Sequence, residues 1–82
     1  MEEKRLTIDE KLTGKKATFF CMNYIYTGVV ASIDERTICI KEPAIVYETG
    51  PFVSKEYKDV QSLCVPEFFI NRDAIESFGI LK

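Results

Sequence analysis

Residues 27–42, TGVVASIDERTICIKE, read as two strands and the turn between them. The first part, up to Ile33, is rich in the β-branched and apolar side chains that pack well on a pleated surface. Asp34-Glu35-Arg36 then breaks the run with three polar residues suited to a tight turn. Beyond it Ile38 and Ile40 point one way and Thr37, Cys39 and Lys41 the other. That period of two predicts a strand with one buried face. Gly28 predicts a sharp bend or a close backbone approach in the first strand. Pro43 cannot donate to a ladder, so a bulge or bend is expected in the second.

Upstream, a strand is expected at about 16–22, followed by a turn near Asn23, with the next strand running from about 24 to 33. The strand after Arg36 is expected over about 37–47. Before the first strand, the spacing of Thr7 and Glu10 matches a capping box and predicts a short helix over about 7–13. Gly14 can close that helix in a left-handed conformation. Downstream, residues 48–66 carry Gly50-Pro51 and scattered charge and predict one long loop, with Tyr57 and Val60 as candidate anchors. Two short strands are expected at about 67–71 and 74–80, joined by a tight turn at Arg72-Asp73. The whole chain, 1–82, is expected to form one domain. Long strands bent at Gly28 and near Pro43 suit a small, strongly curved five-stranded antiparallel barrel. The short last strands would leave open edges that invite pairing with another copy.

The chain has 82 residues, 46% of them hydrophobic and 29% charged, with a formal net charge of −2. The apolar content is too high for intrinsic disorder, and the size is marginal for a lone core. The balance of eleven basic and thirteen acidic residues argues against coating nucleic acid by bulk charge, though not against a local site. No apolar run approaches the roughly 18 residues of a membrane helix. MEEKRLTIDEKL lacks the apolar stretch of a secretory signal, so a cytoplasmic protein is expected. The three cysteines, Cys21, Cys39 and Cys64, are widely spaced and there is no histidine. Cys21 and Cys39 sit inside apolar runs and predict small core side chains in a reducing compartment, and the three cysteines predict no metal site and no cofactor. Without histidine the usual general base is missing, and no Gly-rich phosphate loop is present. An enzyme is not expected.

Two segments, TGVVASIDERTICIKE (27–42) and FFINRDAIESF (68–78), resemble the two signatures of the Sm-like family, which includes the bacterial Hfq proteins. Gly28, Val30, Ile33 and Asp34 match the first signature, and Ile70 to Ile75 match the second. The short helix before the strands also fits, and the resemblance covers about residues 5–80. The stretches NYIYTG (23–28) and AIVYETGPF (44–52) further resemble small Sm-like proteins of phage or environmental origin. The resemblance implies a mainly β fold with a short N-terminal helix and a strongly bent five-stranded, Sm-like (SH3-like) barrel. SH3-like and OB-like barrels share most of the remaining pattern.

The resemblance also implies a homo-oligomeric ring of five to seven subunits, formed by pairing strand 67–71 of one copy with strand 74–80 of the next. It implies binding of single-stranded RNA, as an RNA chaperone or processing accessory, at Asp34, Glu35 and Arg36 of one turn and Asn71, Arg72 and Asp73 of the other. The sequence departs from the family at these positions. Ile38 stands where many members carry an asparagine, and Asn71-Arg72 where they carry Arg-Gly. Relative to the Hfq-type members, Arg36 replaces an aromatic residue and Arg72-Asp73 a Lys-His pair. A guanidinium plane at Arg36 can still stack on a base, whereas Asp73 would repel phosphate. The alternative expectation is an oligomeric protein-interaction scaffold with no nucleic-acid affinity.

Overall fold

The computed structural model describes residues 7–51 and 57–81. Helix α1 (Ile8–Leu12) opens the described chain. Its capping box is closed in both directions: the Glu10 N–H donates to Thr7 Oγ1 and the Thr7 N–H to Glu10 Oε1, each at 3.1 Å. Gly14 follows with φ +83°, and its N–H donates to the Val30 carbonyl at 2.8 Å. So short a helix is held by packing rather than propensity. Its one buried side chain, Leu12, is 2% exposed and joins the core.

Six strands follow: β1 (Lys16–Cys21), β2 (Ile25–Ile33), β3 (Thr37–Glu48), β4 (Asp59–Ser62), β5 (Phe68–Asn71) and β6 (Ile75–Ile80). They form one antiparallel sheet in the order β4-β3-β2-β1-β6, with β5 pairing β3 off that path. The twelve-residue β3 organises it. One edge of β3 pairs β2 along most of its length. On the other edge its first half, Thr37–Ile40, pairs β5 and its second half, Ala44–Glu48, pairs β4.

The bend in β3 lies where Gly28 and Pro43 suggested a distortion. Thr27 pairs Ala44 and Val29 pairs Lys41, so an extra residue enters β3 opposite Gly28. Glu42 takes φ +52° there, and Pro43 is fully buried. A Cβ on Gly28 would stand 2.8 Å from Ile40 Cδ1 and 3.0 Å from the Lys41 carbonyl oxygen. The absence of a side chain at 28 lets the bulged strand approach.

Two expectations need correction. The loop 48–66 is not all loop: Asp59–Ser62 forms β4, paired with the end of β3. The residues DVQS are all exposed, so no alternation marks them as a strand. What recruits them is the free edge of β3 beyond the bulge. Of the same segment, 52–56 lie outside the described residues. The fold is also not a closed five-stranded barrel but an open six-stranded sheet. The Arg72-Asp73 turn is a 3-10 turn, Arg72–Ala74, and the strands it joins pair with different partners: β5 with β3 and β6 with β1. Among the described residues no ladder connects β5 to β6.

The core contains Leu12, Ala17, Phe19, Val30, Ile38, Ile40 and Ile70, with Tyr26, Phe68 and Ile75 packed against it. Cys39 breaks the predicted one-sided burial of β3, because it is 4% exposed on the face opposite Ile38 and Ile40. The opposite face of the sheet carries Thr18, Thr27 and Ala44 in register across β1, β2 and β3. There the Tyr57 and Thr18 hydroxyls share a hydrogen bond at 2.7 Å, tying the end of the long connection to β1. Val60, the other candidate anchor, sits in β4 opposite Val46 and stays 45% exposed.

Candidate functional site

The two polar turns, far apart in sequence, meet at one corner of the sheet. The β3–β5 ladder brings them together, since Thr37 pairs Asn71 at its end. The Asp34 carboxylate accepts the Arg36 N–H at 2.8 Å, the Thr37 N–H at 2.7 Å and the Thr37 hydroxyl at 3.2 Å. Such an Asx-type turn explains why aspartate suits this position. The 3-10 turn then docks onto it. The Arg72 N–H donates to the Arg36 carbonyl at 2.8 Å, and Arg72 Nη1 donates to the Asp34 carbonyl at 2.7 Å. The backbone N–H groups of Thr37 and Arg36 hold the Asp34 carboxyl below the usual aspartate range, with the Arg72 charge adding to it.

The six sequence-derived candidates are therefore all at this corner, in three different situations. Asp34 and Arg72 are engaged in bonds between the two turns. Arg36 has both peptide groups bonded, and among the described residues no hydrogen bond or ion pair takes its side chain. Glu35, Asn71 and Asp73 are exposed, and the Asn71 amide makes no capping bond to the 3-10 turn.

Beside this corner lies a feature the turn residues did not disclose. An open groove of about 320 Å³ runs from the β1–β2 turn to the end of β5, lined by Cys21, Tyr24, Tyr26, Phe68, Phe69 and Asn71 among others. The Tyr26 ring lies 5.2 Å from that of Phe68 and 6.1 Å from that of Tyr24. Tyr24 is 53% exposed and Phe69 58%, so both present aromatic surface to solvent. Burial pushes the Cys21 thiol and the Tyr26 hydroxyl up, and the groove lining holds no aspartate, glutamate, lysine or arginine. A signal for it was present in the sequence. Phe68 and Phe69 are consecutive in a strand, so one of them has to face outward.

Outside this region, burial raises the Cys39 thiol, and the Glu67 carboxylate at 3.6 Å adds to the effect. A thiol so placed stays protonated and unreactive. Among the described residues no three His, Cys, Asp or Glu side chains gather as metal ligands. Compared with known proteins, the chain matches no protein-family model and no curated protein.

Proposed function

We propose that this chain is an Sm-like, ring-forming protein that binds single-stranded RNA, serving as an RNA chaperone or processing accessory. The observation that carries the reading is the aromatic groove ending at the paired turns. Exposed rings give unpaired bases a stacking surface, and the adjoining Asn71 and Arg36 offer donors to base edges or phosphates. A net charge of −2 is compatible with a binder that relies on stacking more than on bulk charge.

Assembly is supported by the edges of β5 and β6. Each strand uses one edge within the chain, and among the described residues the other edge has no partner. Phe69, Phe78 and Ile80 are exposed on these same strands. Pairing β5 of one copy with β6 of the next joins two different edges, a heterologous contact that forms a ring where the rotation closes. In the strand order β5-β3-β2-β1-β6 the two strands β5 and β6 end the sheet, each open to a strand of a neighbouring copy.

Light scattering combined with titration of poly-uridine and poly-adenine at low and physiological salt tests both parts. The expected result is a mass of five to seven chains and binding of at least one polymer. Tyr24→Ala is expected to weaken that binding roughly five- to 150-fold, the equivalent of about 1–3 kcal/mol for one stacked base. A monomer refutes the ring, and a ring that binds neither polymer refutes the RNA reading. The latter outcome would leave the second reading, a protein-interaction scaffold. That reading is favoured by the exposure of the acidic residues Glu35, Asp73 and Glu76 and by the engagement of Arg72 within the chain.

A further inference from the structure

The two arginines of the corner differ in a way that assigns them different work. Arg72 is tied to the other turn twice, through its backbone N–H to the Arg36 carbonyl at 2.8 Å and through Nη1 to the Asp34 carbonyl at 2.7 Å. Arg36 is fixed at its backbone from both sides. Its N–H is held by the Asp34 carboxylate at 2.8 Å, and its carbonyl by Arg72. Its side chain stands exposed, without a hydrogen bond or ion pair among the described residues. A pinned backbone carrying an unengaged guanidinium has already lost part of the conformational freedom that binding would otherwise remove. Arg36 thus presents a rigid base with a flexible, charged tip.

We infer that Arg36 is the residue that meets the phosphodiester of a single-stranded nucleic acid, and that Arg72 is a positioning residue which locks the two turns and aims Arg36. This inference rests on the RNA reading above and divides the labour within that site. Asp34 belongs with Arg72. Its carboxylate faces the backbone N–H groups of Arg36 and Thr37, so it shapes the turn and does not reach outward. The uncharged wall of the groove would then receive the base whose phosphate Arg36 holds.

The test compares two substitutions of the same chemistry, Arg36→Met and Arg72→Met, in the full chain. Each removes one positive charge and keeps an aliphatic stem. Binding of fluorescently labelled poly-uridine and poly-adenine is measured between about 50 and 200 mM salt, the range over which phosphate contacts weaken steeply. Amide hydrogen exchange and thermal midpoints are recorded for both variants. Arg36→Met is expected to flatten the plot of log K against log salt by about 0.7 per engaged copy, with amide protection unchanged. Arg36→Lys, which keeps the charge, is expected to restore the slope. Arg72→Met is expected to lower affinity severalfold while keeping the wild-type slope, and to speed exchange at the Arg36 and Thr37 amides.

The inference is overturned if Arg72→Met flattens the slope as much as Arg36→Met and leaves exchange unaltered, because Arg72 then contacts phosphate itself. It is also overturned if Arg36→Met leaves the slope at the wild-type value. Failure of the RNA reading looks different: the wild-type chain then binds neither polymer at any salt, and Arg36 loses its assigned ligand with it.

Discussion

Replacing Gly28 by alanine tests the close approach that lets β3 bend. The new Cβ would meet Ile40 Cδ1 at 2.8 Å, Ile40 Cβ at 3.0 Å and the Lys41 carbonyl oxygen at 3.0 Å. Rotation of Ile40 can relieve only the first contact, because the other two belong to the branch point and the backbone. Ile40 is itself fully buried, so a new rotamer has no empty space to enter. Overpacking of this kind costs about 1–3 kcal/mol. Alanine regains about 0.5–1 kcal/mol relative to glycine in a strand interior, which offsets part of the loss. A net loss of about 1–2 kcal/mol corresponds to a fall in Tm of roughly 5–15 °C for a domain of this size. Calorimetry or circular dichroism with thermal and urea unfolding measures it. Ile40→Val removes Cδ1 and alone costs about 0.5–1.5 kcal/mol. Combined with Gly28→Ala, it should destabilise by less than the sum of the two, with a coupling of about 0.5–1 kcal/mol. A Gly28→Ala protein as stable as wild type, or strictly additive single substitutions, would refute the packing argument.

Three other outcomes follow from the same contacts. Thr7→Ala opens the capping box and is expected to cost about 1 kcal/mol, whereas Leu12→Ala, at the helix's one core contact, should cost about 2–5 kcal/mol; equal urea midpoints for the two would contradict the packing account of α1. Tyr57→Phe removes the partner of the nearly buried Thr18 hydroxyl and should lower stability by about 0.5–1.5 kcal/mol, with a double-mutant cycle against Thr18→Val showing the shared bond. Asp34 has its folded-state pKa lowered by backbone donors, so its stabilising effect is present above the unfolded-state value and is lost as pH falls through the folded one. Unfolding of wild type and Asp34→Asn should therefore differ near neutral pH and converge in acid; a difference that grows on acidification would show that the sign is wrong.

The legibility of the fold varied with how local each feature is. The capping box of Thr7 and Glu10 is written in four adjacent residues and forms as read. The distortion around Gly28 and Pro43 was likewise legible, since both residues have restricted roles in a ladder. β4 was not legible, because Asp59–Ser62 has no buried residue and owes its conformation to its neighbour. Cys39 was legible as a small core side chain from its apolar surroundings, but the alternation in β3 implied one buried face and could not register burial on both sides of the strand.

At the candidate site it was the resemblance to the Sm-like family, carried over position by position, that singled out the two polar turns. It did not separate Arg36 from Arg72, which are both arginines in turns. Only the bonds from Arg72 to Asp34 and Arg36 distinguish the engaged side chain from the unengaged one. The groove escaped for a similar reason. The mutual distances of Tyr24, Tyr26, Phe68 and Phe69 depend on how the β1–β2 turn sits beside β5.

By itself, then, the sequence determined the short helix with its cap, the strands that alternate or run apolar, and the turns between them. Each of these depends on side-chain periodicity or on backbone restrictions acting within a few residues. The tertiary structure alone decided that β3 carries β5 and β4 on one edge, that β5 and β6 diverge to different partners, and that two distant turns lock beside an aromatic groove. Those outcomes depend on which strand edges remain open once the core around Phe19 and Ile40 has packed, a competition among non-local pairings that no short stretch of sequence encodes.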